Sequence, residues 1–147
     1  METSPAQHSK VDWILLFLNA MPLDRIHLMK ALFLFWYRTG RRIEGFFKFK
    51  PYMYGPCSFD LYDELRSSQR DHLIAQASHI PAKYARFHIT DLGRKMVEEA
   101  ESKISASEQN LIREIANEVS NCGFRDLLQK VYTEAPDFAS NSVFNRR

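Results

Sequence analysis

Residues 24–40 read DRIHLMKALFLFWYRTG, and this stretch decides the fold. It begins with Asp24, which suits a helix N-cap, and ends with Gly40, which suits the residue after a helix. Between them, apolar and aromatic side chains occupy almost every position from Ala31 to Tyr37. A helix without a polar face is usually buried inside a domain. We therefore predict that this helix is the centre around which the other elements pack.

The elements on either side of this helix are shorter. The apolar pattern of Lys10–Ala20 predicts a first helix. After the central helix, the alternation from Phe46 to Tyr54 predicts a strand, which Tyr54-Gly55-Pro56 should end. Ser58 suits the N-cap of a short helix over Phe59–Ser68.

The rest of the chain predicts a hairpin followed by three helices. Leu73–Ala77 and Tyr84–Ile89 have the composition of two paired strands. The helices should run from Asp91 to about Lys103, from a Ser105–Glu108 capping box to Gly123, and from Phe124 to Tyr132. A helix that leads into a two-stranded wing is the arrangement of winged-helix domains. We predict an α+β, mainly helical, winged-helix-like fold, in which a central buried helix packs with a small antiparallel sheet made of the strand and the hairpin wing.

The composition is that of one folded domain. The 147 residues are 45% hydrophobic and 13% aromatic, which is enough for a core and excludes disorder of the whole chain. We expect a single domain over residues 1–147, with residues 1–9 and 138–147 loosely ordered. No apolar run approaches the ~20 residues that a membrane span needs, and the polar start contains no secretory signal. Cys57 and Cys122 are far apart and suit reduced thiols, so we expect a cytoplasmic protein without membrane contact.

Positive charge is concentrated in one stretch, although the net charge is only +2. Seven cations lie between residues 25 and 50 against a single acid, Glu44, and they are Arg25, Lys30, Arg38, Arg41, Arg42, Lys48 and Lys50. Such a stretch suits an acidic protein surface, or phosphates contacted without base reading. A DNA-recognition role for the helix over 59–68 is opposed by Asp60, Asp63 and Glu64, because phosphates repel such a face. A protein partner is therefore the favoured interpretation, and a DNA-binding regulator that uses the Arg38–Lys50 cations is the alternative.

Catalytic and metal-binding patterns are weak in this sequence. Cys57 precedes a predicted helix, where the local field lowers a thiol pKa, so a Cys57-dependent enzyme is a remote third hypothesis. No histidine is close to it in sequence, and His88 could reach it only through the fold. The five histidines lack the spacing of zinc ligands. We expect no enzyme activity, no cofactor and no metal.

Several short motifs occur in an order that resembles a known family. They are Tyr54-Gly55-Pro56-Cys57-Ser58-Phe59-Asp60-Leu61-Tyr62-Asp63-Glu64-Leu65, Ile89-Thr90-Asp91-Leu92-Gly93, Leu127-Leu128-Gln129-Lys130-Val131-Tyr132, Ala135-Pro136-Asp137-Phe138 and Asn141-Ser142-Val143. Together they resemble the Panacea antitoxin domain and its SocA-like relatives, from about Asp24 to Val143. The resemblance implies a non-catalytic module, either an antitoxin that neutralises a toxin or an adaptor that presents a protein to a protease.

The candidate partner-binding residues combine the cations, two tyrosines and two polar residues of the C-terminal tail. They are Arg38, Arg41, Arg42, Lys48, Tyr52, Tyr54, Asn141 and Ser142. The expected partner is a protein, such as a toxin or a regulated target, with nucleic acid as the alternative. The sequence leaves self-association open.

Overall fold

The computed structural model describes residues 8–139, which form six α-helices, two antiparallel two-stranded sheets and a terminal 3-10 turn. The elements in chain order are α1 (Lys10–Ala20), α2 (Arg25–Arg38), β1 (Lys50–Tyr52), β2 (Gly55–Cys57), α3 (Phe59–Arg70), β3 (Ile74–Gln76), β4 (Phe87–Ile89), α4 (Asp91–Glu101), α5 (Ala106–Ser120), α6 (Phe124–Glu134) and the 3-10 turn (Pro136–Ala139). The prediction of an α+β, mainly helical fold is confirmed.

Helix α2 is the centre of the domain, as its composition predicts. Every residue from Leu28 to Phe35 is buried, and the Asp24 side chain caps the helix by accepting from the backbone of His27. Phe33 is fully buried, and its ring lies 4.8 Å from that of Phe138 and 5.4 Å from that of Phe49. An aromatic cluster therefore joins α2 to the C-terminal 3-10 turn and to the segment before β1.

Both ends of the described chain are well tied to the domain. Ser9 and Asp12 form a capping box at the start of α1, and Phe138 and Ala139 are buried. The sequence predicts loosely ordered ends over residues 1–9 and 138–147. Of these, residues 1–7 and 140–147 lie outside the described residues. Within the described range, none of the helices is both long and apolar enough to cross a bilayer.

The strand expected from Phe46 to Tyr54 is instead a short hairpin. Its first half, with Phe46, Phe47 and Phe49 buried, forms no strand, and β1 begins only at Lys50. The chain then turns back so that Pro51 pairs with Pro56, and Gly55 takes a φ of +93° that side chains rarely adopt. The glycine therefore continues the β structure where the sequence analysis expects it to end.

The hairpin at β3 and β4 is confirmed, but it does not join the first pair of strands in one sheet. Ile74 pairs with Ile89, and β4 also bridges to Leu23 through Phe87. The strand and the wing therefore form separate sheets, and a winged-helix arrangement stays a prediction.

The start of α3 differs from the expected side-chain cap. Ser58 occupies the N-cap position, but its hydroxyl makes no capping hydrogen bond and is buried without a partner among the described residues. The backbone N–H of Ser58 instead faces the sulfur of Met29 at 3.3 Å. The contact of Ser58 with Met29 and the packing of α3 on α1 and β3 therefore position this helix where a local cap does not.

His27 joins the start of α2 to the corner between α5 and α6. Its Nδ1 lies 2.9 Å from a carboxylate oxygen of Asp24, and its Nε2 lies 2.8 Å from the carbonyl oxygen of Cys122. Both nitrogens face acceptors, so only the protonated imidazole donates both hydrogen bonds. The hydrogen bond to Asp24 raises the pKa of His27, against an opposing effect of burial.

This arrangement predicts that the protein loses stability as the pH rises above the ordinary pKa of histidine. The raised pKa means that the contribution is complete below the ordinary histidine value of 6.5 and is lost as the pH rises through the folded-state pKa. We expect the free energy of unfolding to fall by about 2 kcal/mol over that interval, the typical size of a charge-assisted hydrogen bond. Urea unfolding at a series of pH values measures it. His27→Gln should remove the pH dependence, and an unchanged slope in this variant would contradict the assignment.

Candidate functional site

A cleft of about 310 Å³ opens where five segments of the chain meet. The N-terminal half of α2, the β1–β2 turn and the first turns of α3 and α6 line it, and the segment between β3 and β4 contributes Lys83. The lining residues are Arg25, Ile26, Met29, Lys30, Tyr52, Met53, Tyr54, Gly55, Cys57, Phe59, Tyr62, Lys83 and Phe124.

The mouth of this cleft exposes an apolar patch. Met53, Tyr54 and Phe59 are 50%, 51% and 59% exposed. The Phe59 ring lies 5.0 Å from that of Tyr52, and the Tyr54 ring lies 5.9 Å from that of Phe124, so the aromatic rings continue from the mouth into the cleft. A contiguous exposed apolar patch on a folded domain indicates an interaction site.

Lys30 lies in the floor of the cleft and is only 5% exposed. Its ammonium donates to the carbonyl oxygen of Pro56 at 3.3 Å, and no carboxylate of the described residues lies within ion-pair distance of it. Burial lowers the pKa of Lys30 to about 8, with a small opposing effect from Cys57. A side chain at Gly55 would meet Lys30 Cε at 3.3 Å and Leu128 Cδ2 at 2.7 Å, so the glycine lets the hairpin close over the lysine.

All the charged residues that line the cleft are positive. Arg25 and Lys83 accompany Lys30, and no aspartate or glutamate is among the lining residues. The Arg25 guanidinium lies 5.7 Å from the centre of the Tyr62 ring, which holds it along the aromatic wall. The cleft is therefore apolar in its walls and positive in its charge.

Cys57 has the properties of a structural thiol. Burial raises its pKa, which is opposite to the lowering expected from the start of α3. Its sulfur lies 4.0 Å from the Tyr62 hydroxyl, and Lys30 is the cation that acts on it. Desolvation outweighs the field of the helix because the thiolate would be half-buried among apolar groups. The described residues also contain no group of three or more metal-ligating side chains.

The cations predicted to bind a partner have different surroundings in the structure. Arg38 makes paired hydrogen bonds to Glu118 and to Glu134, at 2.8–3.1 Å. Arg41 pairs with Asp137 at 3.2 Å and lies 4.4 Å from the Tyr37 ring centre. Both guanidinium groups therefore hold the end of α2 against the C-terminal elements.

Other nominated residues have different placements. Arg42 and Lys48 are exposed, and neither lines the cleft. Tyr52 and Tyr54 do line it, so the structure separates the tyrosines from the loop cations. Asn141 and Ser142 lie outside the described residues.

Sequence reasoning did not select Lys30 or Phe59 for this site. Lys30 had a visible signal, because it is the one charged residue within the apolar run from Leu28 to Phe35. The sequence contains no comparable signal for Phe59, since an aromatic residue at the start of a helix is as easily buried as exposed. Only the packing of the β1–β2 hairpin over α2 brings the two to one cleft.

A family model matches most of the chain. The model of the family described as antitoxin SocA-like, Panacea domain, matches residues 28–136, which run from the first turn of α2, through both hairpins, to the end of α6. No curated protein and no solved structure matches the chain.

Proposed function

This chain belongs to the family of SocA-like antitoxins with a Panacea domain, and on that premise we propose that it is a non-catalytic regulatory domain that binds a protein partner through the cleft over Lys30. The observation that carries the proposal is the exposed patch of Met53, Tyr54 and Phe59 at the mouth of a positively charged cleft. Aromatic residues and methionine are enriched at protein interfaces. The partner is a toxin or another regulated protein, and a cytoplasmic location is supported by two unpaired thiols.

The arrangement of charge favours a protein over DNA. Asp60 and Asp63 are exposed on α3, the helix that a winged-helix protein would present to the major groove. Arg38 and Arg41 are engaged with carboxylates, which reduces the positive charge that the sequence suggested for this region. The exposed cations left for phosphate contacts include Arg42, Lys48 and Lys50.

Capture from the native host tests the proposal. A tagged chain, treated with nuclease, should retain one stoichiometric protein, identified by mass spectrometry. Phe59→Ser should lower that capture at least about tenfold, the effect of losing an interface anchor of about 1.4 kcal/mol or more. Leu92→Ser is the matched control, because Leu92 is 52% exposed on α4 and does not line the cleft. An empty eluate, or equal losses in both variants, would contradict the proposal.

The DNA alternative has its own test. If Arg42 and Lys48 contacted phosphates, Arg42→Glu with Lys48→Glu would abolish capture, and nuclease or salt would do the same. The protein-binding proposal expects capture to survive this double substitution and nuclease. If the double substitution or the nuclease removed all captured protein, the result would favour the DNA-binding regulator.

A further inference from the structure

Among residues 8–139, the charge balance of the cleft is incomplete. The Lys30 ammonium has three N–H donors, and the carbonyl oxygen of Pro56 is its one acceptor among the hydrogen bonds of the described residues. A buried charge normally has an ionised partner, because removing it from water without one is costly. The neighbouring thiol of Cys57 does not supply a negative charge, since burial raises its pKa.

The other charges around the cleft increase this imbalance. Arg25 and Lys83 add positive charge, and the lining contains no carboxylate. No lining residue of the described part of the chain supplies an anionic group, so an occupant of the cleft is the group that would complement this charge. A carboxylate that reached Lys30 would be drawn in by three cations and would meet no acidic side chain among the lining residues.

The walls define the rest of the occupant. Met29, Tyr62 and Phe124 present apolar surface inside the cleft, and 310 Å³ is at the lower end of the volumes of ligand pockets, which are about 300–1,000 Å³. This volume suits one or two side chains rather than a whole helix, whose diameter is about 10 Å. At the mouth of the cleft, the exposed parts of Met53 and Phe59 continue the apolar surface beyond what a small molecule in the cleft would cover.

We propose that the cleft receives a short segment of the partner in which a large apolar side chain adjoins a carboxylate, with the carboxylate paired to Lys30 and the apolar side chain packed between Phe59, Tyr62 and Phe124. This inference rests on the proposed function and names the chemistry that the partner presents. The acidic group makes the segment selective, since an apolar segment without it leaves the buried ammonium unpaired.

Panning of random peptides displayed on phage against the purified full chain tests this chemistry without the native partner. The peptides that are enriched should carry an aspartate or glutamate beside a large apolar residue. Fluorescence polarisation of the synthetic peptides should show that conversion of the acid to its amide weakens binding to the wild-type chain at least about tenfold.

Two variants separate Lys30 from the rest of the cleft. In Lys30→Met, the acid peptide should lose its advantage over the amide, because the coupling partner is gone. Lys83→Met is the control, and an exposed rim charge should change the affinity less than about threefold. Circular dichroism should show that both variants are folded, since methionine replaces the lysine with similar length and no charge.

Each result has a defined meaning. Enriched peptides without an acid, no enrichment, or an equal acid-to-amide loss in wild type and Lys30→Met would overturn the inference. Phenylacetate bound as tightly as the peptides would also overturn it, in favour of a site for a small acid. If the panning fails and the host capture succeeds, the partner binds elsewhere. If the panning succeeds and the host capture is empty, the chemistry of the cleft stands and the proposed function fails.

Discussion

Replacing Gly93 with alanine is expected to destabilise the domain by about 3 kcal/mol, the upper end of what overpacking usually costs. Gly93 is buried in the first turn of α4, and its N–H is capped by the Thr90 hydroxyl at 3.0 Å. An added Cβ would overlap the carbonyl oxygen of Leu73 and lie 2.7 Å from Ile89 Cγ1. The Leu73 carbonyl cannot simply move away, because it accepts hydrogen bonds from both the N–H and the hydroxyl of Thr90.

Urea denaturation followed by circular dichroism measures this loss. The matched control is Gly123→Ala at the N-cap of α6, where a Cβ meets nothing within 4 Å. This control should cost no more than about 1 kcal/mol, the typical difference between a favourable and an unfavourable N-cap residue. Equal midpoints for the two variants would contradict the close packing of α4 on the segment before β3.

Lys30→Met should have the opposite sign and raise the free energy of unfolding by about 2 kcal/mol at neutral pH. The folded state buries an ammonium that has no carboxylate partner among the described residues, and methionine fills the same space without a charge. The lost hydrogen bond to Pro56 reduces the gain but does not cancel it. A more stable variant that no longer distinguishes acidic peptides from their amides would show that Lys30 is kept for binding at the expense of stability.

The pH dependence of Lys30 gives a second measurement of the same group. Its pKa is lowered from 10.5 to about 8 in the folded state, so between these values the unfolded chain binds more protons. The wild type should therefore gain stability as the pH rises from about 8 to 10.5, by up to about 3 kcal/mol. Lys30→Met should lack this increase, and exposed Lys83→Met should retain it. A similar rise in Lys30→Met would mean that another group causes it.

The apolar runs and local caps in the sequence were enough to predict the helices. The capping box of Ser105 and Glu108 opens α5 as expected. Of the run from Ala31 to Tyr37 that the sequence predicts to be buried, residues 31–35 are buried, whereas Trp36 and Tyr37 are half-buried. Caps and helical periodicity depend on residues at most four positions apart, so the sequence alone is enough to predict where helices form. The same reasoning failed at Phe46–Tyr54, where alternation suggested one strand and the positive φ of Gly55 produces a hairpin.

The candidate site could be predicted only in part, because some of its contacts join residues that are distant in sequence. Tyr52 and Tyr54 were selected because they flank a turn signal, and both line the cleft. The sequence predicts Arg38 to be a partner-binding residue, but in the structure its guanidinium donates to Glu118 and Glu134, which are 80 and 96 positions away. No local pattern shows such a partner, because it is brought close only when α5 and α6 pack on α2.

The sequence by itself determined the helical elements, the buried centre at α2 and the family, because these follow from periodicity, caps and short motifs. Only the tertiary structure decided which charged side chains are paired, buried or exposed. It paired Arg38 and left Lys30 buried without a carboxylate partner among the described residues. It also raised the pKa of Cys57 where the local sequence suggested a lower value. The energy of a charge depends on its solvation and on neighbours within a few ångströms, and folding selects those neighbours from distant parts of the chain.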